Sequence, residues 1–177
     1  TFGSSGKTTT DFGYGSDGAY ALSVLDSGGI LAGGISDNGT DYDFALARYS
    51  SDGNLDTTFG SGGKTTTDFG YGSDRAYALT VLGSGKILVA GYAYNGSTFD
   101  FALARYDSDG TLDTSFGSGG KTTTDFGFGD DRGQAMAVLD SGKILVSGYA
   151  FNGTDFDFAL ARYDAEGTLD TSFGSGG

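Results

Sequence analysis

Residues 84–106 read Ser-Gly-Lys-Ile-Leu-Val-Ala-Gly-Tyr-Ala-Tyr-Asn-Gly-Ser-Thr-Phe-Asp-Phe-Ala-Leu-Ala-Arg-Tyr, and their patterning decides the fold. Lys86 to Tyr94 is apolar on both faces, which suits a strand buried from both sides. Phe99 to Tyr106 alternates, with Phe99, Phe101, Leu103 and Arg105 on one face and Asp100, Ala102, Ala104 and Tyr106 on the other. Asn95-Gly96 between them is a strong hairpin signal and predicts a type I′ turn, with positive φ at both central residues. Upstream lie the threonine-rich Lys64 to Phe69 and the short apolar run Ala76 to Leu82. No segment holds an apolar 3.6-residue period over the ~10–12 residues a helix needs. Leu112 to Phe116 offers one helical turn at most before glycines break it.

The same unit occurs three times. Gly-Lys-Thr-Thr-Thr-Asp-Phe-Gly recurs at Lys7, Lys64 and Lys121, and Asp-Phe-Ala-Leu-Ala-Arg-Tyr at Arg48, Arg105 and Arg162, each spaced by 57 residues. The repeats run 1–57, 58–114 and 115–171, and 172–177 begins a further one. The second and third share 43 of 57 positions, too close for sites with different chemistry. Repeat one departs most, with Gly29 where the others have Lys86 and Lys143. No linker divides the array.

Four short antiparallel strands per repeat at this period predict an all-β chain of β-propeller blades, because a sheet apolar on both sides is sheltered only by stacking against its neighbours. A parallel β-solenoid is the alternative. The Asn-Gly reversals argue against it, since coils need crossovers between parallel strands. Ser84-Gly-Lys-Ile-Leu-Val-Ala-Gly91, Asp100-Phe-Ala-Leu-Ala-Arg-Tyr106 and Asp109-Gly-Thr-Leu-Asp-Thr-Ser-Phe-Gly117 together resemble the delta-sixty repeat of bacterial secreted and surface proteins. The resemblance covers all three repeats. It implies a propeller and an extracellular or cell-surface setting, and it carries over no catalytic residue.

Composition narrows the chemistry. Among 177 residues there is no Cys, His, Pro or Trp, which excludes thiol and imidazole catalysis, zinc fingers, haem ligation and disulfides. Glycine contributes 34 residues, far above the usual ~7%. A net charge of −13 makes nucleic acid a poor partner. No apolar run approaches the ~18 residues of a membrane helix, and no signal-peptide pattern opens the chain. Near-identical repeats offer symmetric aspartates rather than the unlike carboxylate pair that a glycosidase needs, so no enzyme is expected.

The repeat phase predicts an offset. If each blade is ordered from its short apolar strand outward, Lys7 to Phe12 is the outermost strand of a blade whose other strands come from elsewhere. The strands between Ala135 and Tyr163 then lack their outer partner. Three blades cannot close a ring of the usual ~4 or more. The expected partner is therefore the chain itself, as two copies in a six-bladed ring, as a slice of a longer array, or as a filament if the contact does not close.

Several residues are candidates for function. Tyr14, Tyr71 and Phe128, with Asp17, Asp74, Asp131, Asn38, Asn95 and Asn152, group at one end of the blades and could face a sugar, a peptide or a surface protein. The plainer account has the aromatics tuck between blades while Asp and Asn shape turns. Asp107, Asp109 and Asp113 are calcium candidates, with Asx turns the cheaper explanation; no other cofactor is expected. Arg48, Arg105 and Arg162 need carboxylate partners, expected between blades at Asp56, Asp113 and Asp170 or at Asp11, Asp68 and Asp125. Asn38, Asn95 and Asn152 also match the glycosylation acceptor pattern, but the hairpins already account for them. One Thr-Thr-Thr run per repeat makes no flat ice-binding lattice. The reading is a structural or adhesive propeller scaffold, with a lectin-like binder as the alternative.

Overall fold

The computed structural model describes residues 2–177, and all of its regular structure is β. The first sheet joins β1 (Gly18–Val24), β2 (Ile30–Asp37), β3 (Tyr42–Tyr49) and β4 (Lys64–Thr67) in that order. The second joins β5 (Arg75–Val81), β6 (Ile87–Tyr94), β7 (Phe99–Tyr106) and β8 (Lys121–Thr124). The third holds β9 (Asp131–Val138), β10 (Ile144–Phe151) and β11 (Phe156–Tyr163). Every ladder in these sheets is antiparallel, so the solenoid alternative falls. The sheets are propeller blades that do not close into a ring.

The blade boundary is shifted from the sequence repeat. Each outer strand, β4 or β8, is the opening of the next repeat, paired with β3 or β7 in the register Phe44↔Thr67 and Phe101↔Thr124. The third blade accordingly has three strands among the described residues, and Lys7 to Phe12 stands at the other end with no blade to join. The threonine strands stop at Thr67 and Thr124, earlier than the sequence predicts. Asp68 and Asp125 there accept the N–H of Gly70 and Gly127 and turn the chain.

Blades stack through two apolar layers. Leu31, Phe44 and Leu46 of the first blade meet Ile87, Val89, Ala102, Ala104 and Tyr106 of the second, with Phe59 between. On its opposite face the second blade presents Leu88, Ala90, Phe101 and Leu103 to Ile144, Val146, Ala159, Ala161 and Tyr163. The alternation read in Phe99 to Tyr106 is thus a strand with a neighbour on each side. Polar ties cross the same junctions. Tyr106 Oη donates to Thr67 Oγ1 at 2.7 Å, Tyr163 Oη to Thr124 Oγ1 at 2.8 Å, and Lys121 Nζ to the Asp68 carbonyl at 2.9 Å.

Two local expectations are corrected. The Asn-Gly turns are four-residue loops: Asn95 N–H donates to the Thr98 carbonyl, and Asn95 Oδ1 accepts from the N–H groups of Ser97 and Thr98. This side-chain cap keeps Asn at negative φ, so only Gly39, Gly96 and Gly153 take positive φ, at 95°, 99° and 98°. Leu112 to Phe116 forms hydrogen-bonded turns with a bridge from Leu112 to Tyr106, and no helix.

Each first strand carries a bulge, and a glycine of the second strand sits against it. A Cβ on Gly91 would lie 1.9 Å from the Arg75 carbonyl oxygen, an impossible contact with backbone. Gly91→Ala is therefore expected to destabilise the chain by about 1–3 kcal/mol or more, read as a lowered midpoint in urea unfolding. An unchanged midpoint would contradict this packing.

Candidate functional site

Tyr14, Tyr71 and Phe128 project from the loops that enter each first strand, and are 77%, 71% and 71% exposed. Each ring lies beside the glycine of the Asn-Gly loop in its own repeat; a Cβ on Gly96 would be 3.3 Å from the Tyr71 ring. The grouping read from the sequence is therefore real in space, and these aromatics do not tuck between blades. The polar members of the group behave differently. Asn38 Nδ2 donates to Asp41 and Asp43, and Asn152 Nδ2 to Asp155 and Asp157, so the amides are spent within the loops. Asp74 and Asp131 are fully buried beneath the rim. Asp17, Asp74 and Asp131 accept the N–H of Phe12, Phe69 and Phe126 at 2.8, 2.7 and 2.7 Å. The exposed rim is aromatic, and its carboxylates point inward.

There they meet other carboxylates. Asp43 lies near the start of β3, Asp68 just after β4, and Asp74 at the entry to β5, and one oxygen from each falls within 4.8 Å of the others. Asp100, Asp125 and Asp131 repeat the arrangement at the second junction. Burial raises the pKa of Asp74 to about 7, with the charges of Asp68 and Asp43 adding to the rise. Asp43, Asp100 and Asp131 are raised for the same first reason. None of the ion pairs among the described residues involves these six carboxylates. Sequence reading did not assemble the trios. The available signal was Asp43 and Asp100, each a charged residue recurring on the buried alanine-tyrosine face of an otherwise apolar strand.

The arginines are structural. Arg48 and Arg105 hold Asp56 and Asp113 through Nε at 2.8 and 2.6 Å, and Arg162 holds Asp170 at 2.9 Å. The carboxylate partner common to all three lies within the same repeat, eight residues on, and not at Asp11, Asp68 or Asp125; Arg105 alone adds a carboxylate across the junction, with Nη2 3.0 Å from Glu166. What crosses the junction is a second donor: Arg48 Nη1 reaches the Ser108 carbonyl at 2.6 Å and Arg105 Nη1 the Ala165 carbonyl at 2.5 Å. The guanidinium planes also lie over Phe59, Phe116 and Phe173. These contacts consume the calcium candidates. Lys86 Nζ bonds Asp107 and Asp113, and Asp109 caps Thr111. In repeat one Gly29 removes that lysine.

The Lys86 ammonium, with Ser115 and Arg105, holds the Asp113 carboxyl well below its ordinary value of 3.8. A depressed folded pKa contributes stability that is present above the unfolded value and lost as pH falls through the folded one. The stability gap between the parent and Asp113→Asn is therefore expected to be constant from neutrality down to about pH 5 and to shrink below about pH 4. Urea unfolding at each pH measures it, and a gap independent of pH would contradict the assignment.

Comparison with curated proteins gives no match. The family described as "Domain of unknown function (DUF5122) beta-propeller" matches residues 27–59, 82–116 and 140–173. Each matched stretch holds the second and third strands of a blade and the turn that carries the arginine's aspartate and the buried or half-buried phenylalanine. With more than half of its length matched in three evenly spaced copies, the chain belongs to this family of β-propeller repeats.

Proposed function

We propose that this chain is a non-enzymatic propeller scaffold or adhesion module of the delta-sixty type, working at the bacterial cell surface or in the extracellular space, and that it joins head to tail with copies of itself. One observation carries the assembly: the two ends are unfinished in matching ways. Phe44 and Phe101 are fully buried, whereas Phe158, the same position in the third blade, is 98% exposed and Leu160 is 49% exposed. At the opposite end Tyr20, Leu22 and Val24 of β1 are exposed, while the equivalent Leu79 and Val81 pack into the first core layer.

The missing strand is already in place. Thr10 Oγ1 lies 2.7 Å from Tyr49 Oη, and Lys64 Nζ donates to the Asp11 carbonyl at 2.7 Å. These are the contacts that Thr67 and Asp68 make one repeat later. Lys7 to Thr10 is thus held as an outer strand whose own sheet is absent. The internal registers put Thr10 opposite Phe158, Thr9 opposite Ala159 and Thr8 opposite Leu160 of a second copy. Phe158 would then meet Phe12 as Phe101 meets Phe126, at a centroid distance of 4.9 Å. Burying Phe158 and Leu160 is worth roughly 1.5–3 kcal/mol each, and pairing removes an exposed sheet edge. The same contacts would serve a further repeat in a longer array.

The sameness of the repeats supports a non-enzymatic role, since the arginine–aspartate pair recurs in all three repeats and the carboxylate trio at both junctions. The three exposed aromatics favour a second reading, a lectin-like or peptide-binding rim. A glycan array comparing the parent with Tyr71→Ala addresses it, and binding to no glycan would count against a lectin.

Light scattering decides the assembly. The parent chain is expected as a two-copy ring or a longer polymer, and Phe158→Asp/Leu160→Asp as a folded monomer. A parent that stays monomeric at about 100 μM, where even a ~10 μM contact would form, would overturn head-to-tail joining.

A further inference from the structure

We propose that each blade junction is a divalent-cation site suited to Ca²⁺, formed by Asp43, Asp68 and Asp74 at the first junction and by Asp100, Asp125 and Asp131 at the second. Three carboxylates drawn together without a cationic side chain are a costly arrangement, because each desolvated charge repels the others. The decisive detail is an oxygen left over. Asp43 and Asp100 are 6% and 5% exposed, and each spends Oδ2 on the amide of Asn38 or Asn95 at 3.0 and 2.9 Å. Their Oδ1 atoms are buried with no hydrogen-bond partner, as is Oδ1 of the fully buried Asp131. An unsatisfied buried carboxylate oxygen needs a partner of some kind, and here it belongs to a trio whose oxygens converge within 4.8 Å.

The chemistry of the donors selects the ion. All are hard oxygens, as Ca²⁺ and Mg²⁺ prefer, and no nitrogen or sulfur donor is present to favour zinc or copper. Oxygens within 4.8 Å of one another fall inside the span of an ion bound at ~2.3–2.6 Å, and Ca²⁺ accepts an irregular ligand set where Mg²⁺ demands a near-ideal octahedron. The ligands come from both sides of the junction: Asp43 near the start of β3 and Asp68 just after β4 belong to one blade, and Asp74 opens the next. A bound ion would clamp neighbouring blades and offset both the burial and the like-charge repulsion that raise these carboxyls.

The period extends the site to the ends of the chain. Asp157 holds Asn152 as Asp43 holds Asn38, and Asp17 has a buried, unpartnered Oδ1 of its own. On the head-to-tail reading above, Asp157 of one copy and Asp11 and Asp17 of the next complete a further trio, so that assembly itself would build a cation site.

The test is calcium titration of the whole chain by calorimetry at neutral pH after chelation. The monomeric Phe158→Asp/Leu160→Asp variant is expected to bind two ions per chain and the assembled parent three. Calcium should raise the melting temperature by on the order of 5 °C, reversibly with chelator. Asp43→Asn should remove one ion and Asp43→Asn/Asp100→Asn two, whereas Asp107→Asn/Asp109→Asn should remove none. The asparagines keep a hydrogen-bonding oxygen and relieve like-charge repulsion, so they should fold at least as well as the parent without calcium. No saturable binding, or melting raised by the asparagines but unmoved by calcium, would overturn the proposal and mark the trios as protonated acids. Two ions per chain in both the monomer and the parent would sustain the junction sites and refute only their completion between copies.

Discussion

No repeat of this protein contains its own finished sheet. β4 and β8 belong by sequence to the unit that follows, yet their ladders are made with the unit before, in the registers that seat Thr67 opposite Phe44 and Thr124 opposite Phe101. The same threonines then accept the tyrosine hydroxyls of the following blade. An outer strand is thus tied on two sides at once. Cohesion between units comes from backbone pairing as well as from packing, which is why a chain of about 19% glycine can hold a defined stack.

The middle blade shows what the arrangement achieves. β6 is buried along nearly its whole length because it has a neighbour on each face, whereas half-buried residues interrupt the equivalent β2 and fill most of β10. Apolar layers of alanine, valine and leucine set the spacing, and the large rings of Phe59 and Phe116 plug the gaps where turns meet; Gly110 and Gly167 lack a Cβ because those rings occupy the space. The arginines lie over the same rings and reach the next repeat's backbone, so a charged group serves the junction without standing unpaired.

Charge is distributed unevenly across this frame. Five of the ten basic side chains, Arg48, Lys86, Arg105, Lys143 and Arg162, lie at the turn end of the blades, where Asp56, Asp113 and Asp170 hold them. At the opposite, loop end Arg132 holds Asp130 at 2.9 Å, and among the described residues the carboxylate trios have no such partner. The excess of acidic over basic residues is therefore gathered between blades, in trios of two buried carboxylates and one exposed, as well as spread on the surface. A stack of closely similar blades still has a chemistry of its own at each junction, repeated because the junction is repeated.

Period, strand alternation and glycine placement were enough to determine the all-β architecture, the 57-residue unit, the strand order and the offset that leaves Lys7 to Phe12 without a sheet and β11 without an outer partner. These are local or periodic properties, and a linear text records them. The tertiary structure alone decided which polar groups meet. Asn95 caps its own loop instead of entering a two-residue turn because its side-chain oxygen outcompetes the backbone geometry assumed for Asn-Gly. Arg105 takes its carboxylate from a turn eight residues on, and Asp43, Asp68 and Asp74 converge from three elements and two blades. The last of these meetings depends on the angle at which one sheet lies on the next, a quantity set by side-chain packing across the junction rather than by local pattern.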